Sequence, residues 1–163
     1  MENVTFRQGR KEDIPGVMEL VKALAEFESA VDQVENSIEK MEAEGFGENP
    51  VYRVFVAEKD NQLLGFALTY FRYSTWKGKV LFLEDLFVKK EHRGLGIGKK
   101  LMEICLHYAS QEKLPFLCLQ VLDWNQPARD FYRQFGAAED SEWVNVMIPV
   151  RYEAGGNPLK KKS

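Results

Sequence analysis

Apolar positions recur along this chain with two periods, and the periods mark out its elements. Residues 4–7 alternate and predict a first strand. Ile14, Val17, Met18, Val21 and Leu24 then follow at helical spacing and read as a core face, with Asp13 expected as N-cap and Pro15 in the first turn. Asn36 or Ser37 is placed to cap a second, shorter helix carrying Ile38 and Met41, with Gly45 expected to end it. Segments 52–58 and 63–73 are rich in Val, Phe and Tyr and read as strands, joined by the hairpin signal Asp60-Asn61. Residues 80–89 form the next apolar run. Leu101, Ile104, Cys105 and Tyr108 restore the helical period up to about Glu112. Pro115 opens a buried-looking strand over 116–122. Asn125-Gln126-Pro127 starts a short helix with Phe131, Tyr132 and Phe135, and Gly136 ends it. Val144, Val146 and Ile148 predict a last strand over 143–149, before a polar, basic tail at 155–163.

The order of these elements predicts an α/β class. Hairpin-joined strands come first, then a strand, a helix and a strand. The helix between 80–89 and 116–122 makes those two strands parallel neighbours. The sheet is therefore mixed and mostly antiparallel, with one parallel pair and helices on its flanks.

Composition narrows the setting. A chain of 163 residues suits a single domain, 1–163, long enough to bury a core. A formal net charge of −3 gives no reason to expect nucleic acid, and is compatible with a cationic substrate. Cys105 and Cys118 sit in apolar segments, with no spacing for a disulfide framework or a metal cluster, so a reducing compartment and no metal are expected. With no apolar signal segment and no run of membrane-spanning length, the expectation is a cytoplasmic protein without a membrane partner.

The chemistry concentrates at residues 83–98, where an apolar strand broken by Glu84 and Asp85 runs into Arg93-Gly94-Leu95-Gly96-Ile97-Gly98 and then a helix. Glycines let a backbone approach a ligand and adopt positive φ. The first N–H groups of a helix lack internal partners and, with the helix dipole, favour phosphate. Arg93 and Lys99 flank the loop and could add charge. A Walker loop needs wider glycine spacing and a following Lys-Ser/Thr, and a dinucleotide fingerprint needs G-x-G-x-x-G; neither is present. The stretch is read as a pyrophosphate cradle, against the alternative of a ligand-free glycine turn.

Arg93-x-x-Gly96-x-Gly98 resembles the R/Q-x-x-G-x-G/A signature of the GNAT acetyltransferase superfamily. Phe27-Glu28, Gly45-Phe46-Gly47, Tyr73-Ser74-Thr75-Trp76-Lys77-Gly78, Leu83-Glu84-Asp85 and Leu122-Asp123-Trp124-Asn125-Gln126 resemble its diamine acetyltransferase branch. The resemblance spans about residues 4–148. It implies the GNAT acyl-CoA N-acyltransferase fold, in which the two parallel strands splay at the cradle and acetyl-CoA is the acetyl donor. Its implied cofactor-binding positions are the backbone of Leu86, Phe87 and Val88, the loop Arg93, Gly94, Leu95, Gly96, Ile97, Gly98 and Lys99, and also Asn125 and Tyr132. Phe27, Glu28, Ser74, Thr75, Glu84, Asp85 and Trp143 are the implied substrate contacts. A homodimer that exchanges C-terminal strands is implied as well, against an ordinary intrachain edge for 143–149.

An amine is protonated near neutral pH and must lose a proton before it attacks a thioester, while the leaving thiolate gains from a proton donor. Adjacent strand residues point to opposite faces, so Glu84 and Asp85 are not expected to form a dyad. The resemblance makes Glu84 the base, acting through water, and burial would raise its pKa and help. It makes Tyr132 the general acid. A cysteine nucleophile is disfavoured, because neither His92 nor His107 shows a pairing with Cys105 or Cys118, which leaves direct transfer in a ternary complex. Ser74-Thr75 stands where the polyamine enzymes carry an acid and matches the thialysine-acetylating relatives. The expected acceptor is thus thialysine or a similar small primary amine. Polyamine acetylation is the alternative, followed by acyl-CoA binding without turnover or acetylation of protein lysines.

Overall fold

A computed structural model describes residues 3–149. The chain divides between Gln120 and Val121 into two units.

The first unit is built on a five-stranded sheet in sequence order, β1 (Thr5–Gln8), β2 (Arg53–Lys59), β3 (Gln62–Ser74), β4 (Gly78–Val88) and β5 (Leu117–Leu119). The first four strands pair antiparallel and β5 pairs parallel with β4. Asp60 and Asn61 both take positive φ, the conformation of a two-residue turn that matches the twist of a hairpin.

Helices α1 (Ile14–Phe27) and α2 (Ile38–Phe46) cover one face. Ile14, Val17, Met18 and Leu20 of α1 and Met41 of α2 pack there on Val54, Val56, Phe66, Leu68 and Phe87. The other face meets α3 (Ile97–Gln111), whose Tyr108 ring meets Phe55 edge-on and Phe71 at a tilt. Ile97, Leu101 and Cys105 of α3 are fully buried.

Two helix ends differ from the expectation. Asp13 stands at the N-cap of α1 with Pro15 in the first turn, as expected, but its side chain makes no cap hydrogen bond; its carboxylate accepts the backbone N–H of Arg10 and a fork from Arg7, which also pairs with Glu58. That network holds the approach to α1 instead of its first turn. Gly45 does not end α2, because Gly47 is the C-cap. A Cβ at Gly45 would lie 2.3 Å from the Tyr52 ring, so the glycine clears room for that ring, whose hydroxyl donates to Met41 O at 2.6 Å.

The second unit holds α4 (Gln126–Arg133), with Asn125 capping it through Oδ1 to the N–H of Ala128 at 3.3 Å. The strand expected over 143–149 does not form among the described residues. Alternation alone does not make a strand, which also needs a ladder for its backbone. Trp143, Val144, Val146, Met147 and Ile148 are all more than three-quarters exposed.

Candidate active site

The cradle is built as its glycines require. Gly94 has φ 76°, and Gly96 is the N-cap of α3 with φ 80° and ψ 3°. A Cβ at Gly94 would meet nothing within 4 Å, so conformation, not crowding, demands the glycine there. The first helical bond of α3 runs from Lys100 N to Gly96 O, so the N–H groups of Ile97, Gly98 and Lys99 lie ahead of it. Lys99 and Leu95 are exposed beside them.

The neighbouring gap follows from strand lengths. Pairing between β4 and β5 ends at Leu83 with Leu119, while β4 continues to Val88. Lys89 N donates to Leu64 O at 2.9 Å, which fixes the hydrogen-bonding phase of the antiparallel ladder. By that alternation the N–H and C=O of Val88 and Leu86 face away from β3, on the side where β5 has stopped pairing. An extended ligand arm can bond such a backbone edge as an added strand would. Arg93 takes an unexpected course here. Its Nε donates to Val88 O at 2.9 Å, and its guanidinium lies 5.2 Å from the Phe27 ring and 5.4 Å from the Phe87 ring. The cation expected to flank the cradle is turned toward the end of α1.

The acids differ most from the sequence-based expectation. The β3–β4 register shifts between Leu68, opposite Asp85, and Thr69, opposite Leu83. Glu84 is the extra residue of a β-bulge. Directly opposed residues share a face, so Asp85 lies with Leu68 on the α1/α2 face. Tyr70 is on that face two residues from Leu68, and its hydroxyl is pushed up first by burial and then by the charge of the neighbouring Glu84. The bulge thus brings Glu84 and Asp85 to one face, where simple alternation would have separated them. Burial also falls on the other acid. Glu84 is exposed, while desolvation, with the charges of Glu84 and then Glu28, pushes Asp85 up to about 7. Partial burial raises Glu28 at the C-cap of α1 as well.

Phe27, Glu28, Glu84 and Asp85 therefore converge. Ser74 and Thr75 do not join them. Ser74 Oγ accepts the N–H groups of Trp76 and Lys77 and folds the β3–β4 turn. Ser74 pairs with Gly78, six residues before Glu84 on β4, or roughly 20 Å at the usual strand rise. Tyr70 was missed in the sequence because its nearness to Glu84 depends on the hairpin register. Close by, Phe46, Tyr52, Arg53, Tyr70, Phe71 and Tyr108 border a cavity of about 300 Å³. In the second unit, Trp143 Nε1 donates to Asp140 at 3.1 Å, and Tyr132 lies half-buried on α4, its ring edge-on to Phe131. Burial pushes the Cys105 thiol up to about 12, the reverse of an activated nucleophile. Among the described residues, no group of three or more His, Cys, Asp or Glu could hold a metal, and no helix is long and apolar enough to cross a membrane.

The glycine loop and helix N-terminus lie in a chain that also matches known sequences. The model of the acetyltransferase (GNAT) family matches residues 17–137. This chain belongs to the GNAT acetyltransferase family. It is 40% identical over 150 residues to the thialysine N-epsilon-acetyltransferase of Bos taurus, covering 87% of this chain and 88% of the bovine protein. It is 32% identical to the human spermidine/spermine N(1)-acetyltransferase-like protein 1 over 85% of this chain and 21% of that longer protein. Its fold is similar to that of the aminoglycoside N-acetyltransferase AAC(6')-Iy in complex with CoA, with TM-score 0.71, 19% identity and 89% and 94% of the two chains covered. GNAT enzymes use acetyl-CoA.

Proposed function

We propose that this GNAT enzyme acetylates the primary amine of a small, lysine-like molecule, thialysine or a close analogue. The observation that carries this reading is the convergence of Glu28, Glu84 and Asp85 beside the edge of β4 that β5 leaves without strand pairing. An ammonium entering there would meet carboxylates and the aromatic surface of Phe27, both of which attract cations. Similarity to the bovine thialysine enzyme over most of both chains supports a compact amine. The chain would hold acetyl-CoA through the amides of Gly94, Leu95, Gly96, Ile97, Gly98 and Lys99 and the backbone of Leu86 and the N–H of Val88, with Asn125 a further contact; Phe87, whose N–H and C=O face β3 by the same alternation, drops out of the expected set. Bound there, acetyl-CoA supplies an acetyl thioester.

In this reading Glu84 takes the proton of the ammonium through water, which its exposed position on the bulge allows. Tyr132, by the resemblance, gives its phenolic proton to the departing sulfur. The inert environment of Cys105 favours direct transfer over an acyl-cysteine route. Polyamine acetylation remains the second reading, favoured by the similarity to the human spermidine/spermine-like protein and by three acids that could meet more than one ammonium. For Ser74 and Thr75, distance along the hairpin removes support for acceptor contact within the chain, so they no longer carry the choice of amine. The exposed apolar run at 143–149 fits a homodimer in which that run completes a partner's sheet.

The deciding experiment compares kcat/KM for thialysine, lysine, putrescine, spermidine and spermine with acetyl-CoA. A preference for thialysine is expected. A preference for spermidine would install the second reading, and no turnover of any amine would remove both.

A further inference from the structure

Arg93 opens the signature loop, yet its guanidinium spans the end of the cofactor gap and the acceptor side of the sheet. Its Nε occupies Val88 O, a carbonyl on the edge of β4 that faces the gap. Its planar head lies against Phe87, in the core under α1, and against Phe27, the last residue of α1. Phe27 is 45% exposed and precedes Glu28, whose charge reaches Asp85. One side chain therefore joins the cofactor edge to the aromatic residue beside the acids.

We propose that Arg93 is a positioning residue that braces Phe27 and Glu28 against the lip of the cofactor gap, so that cradle geometry sets acceptor binding. The inference rests on the amine-acetylation reading given above. A guanidinium suits this post because its flat face stacks on aromatic rings while its edge donates to a carbonyl. Lysine would keep a cation near the rings but lose the fixed donor geometry. If the brace holds, Arg93 matters to the amine more than to the phosphates.

The test uses the full chain and four variants, Arg93→Met, Arg93→Lys, Phe27→Leu and the Arg93→Met/Phe27→Leu double. Calorimetry with coenzyme A gives cofactor affinity, and steady-state kinetics give the KM for thialysine. Arg93→Met should raise the amine KM about three- to tenfold, the scale of one lost cation–aromatic contact and one lost hydrogen bond, and leave the Kd for coenzyme A within about twofold. Arg93→Lys should fall between the wild type and Arg93→Met, and it serves as the probe if Arg93→Met does not fold. The double variant should be no worse than the poorer single, as expected of side chains acting as one unit. A Kd for coenzyme A weakened several-fold with the amine KM unchanged would overturn the proposal and return Arg93 to the pyrophosphate. Additive losses in the double variant would overturn it too. A wild type that turns over no amine would sink the substrate reading, while the coenzyme A arm would still show whether Arg93 serves the phosphates.

Discussion

Asp85 holds its proton well above the ordinary carboxylate range. Desolvation comes first among the causes, followed by the charges of Glu84 and Glu28, and together they bring Asp85 to about 7. The folded chain thus holds a proton that the unfolded chain releases near the ordinary carboxylate value of 3.8. Between those two values the native state binds more protons than the unfolded state, so stability falls as pH rises from about 4 to about 7. The full effect is about 4 kcal/mol. Asp85→Asn should remove it. In urea unfolding near pH 5 and near pH 8, the variant should gain on the wild type at the higher pH, and parallel behaviour would refute the buried-proton account. Glu84→Gln should behave differently: it removes the second of those causes and leaves desolvation, so the pH dependence should shrink only in part, while kcat near pH 7 falls about a hundredfold or more. Unchanged kcat would remove Glu84 as the base. The sequence marked both acids as intruders in an apolar strand, but it gave no sign of which one is buried.

Within the elements, local patterns were legible and register was not. The cradle is a local affair, set by glycine spacing and by the helical period that follows it. Gly96 at φ 80° caps α3, so Gly96→Ala should lower stability by about 1 kcal/mol and weaken coenzyme A binding in the same variant. Thermal melts and calorimetry would check the two effects, and an alanine without cost would mean that the loop readily takes another path. The bulge is the contrary case. Counting back from the Ser74–Gly78 turn pairs Leu68 with Glu84, and only the inserted residue makes the partner Asp85. An extra residue in a ladder leaves no compositional trace, so neither the shared face of the acids nor the contact with Tyr70 could be read from the chain. The strand at 116–122 shrank to three residues for a related reason, since its extent depends on where β5 leaves β4.

For the molecule as a whole, the parallel pair and the mixed sheet were legible because a crossover helix forces them. The segment 143–149 was not, because its alternation describes a strand while the described residues offer it no ladder. If the proposed homodimer forms, light scattering should give twice the chain mass, and Val146→Asp should shift it toward the single chain. A single-chain mass for the wild type would remove the dimer. The placement of the tryptophans makes the same question optical. Trp76, Trp124 and Trp143 are the chain's three tryptophans, and each is more than half exposed. The protein's intrinsic fluorescence therefore comes from its periphery and should sit toward the red, solvent-relaxed end, giving little report on the core during denaturation. Covering Trp143 would move part of that emission to the blue, so diluting the protein and following its colour would read assembly without any added label.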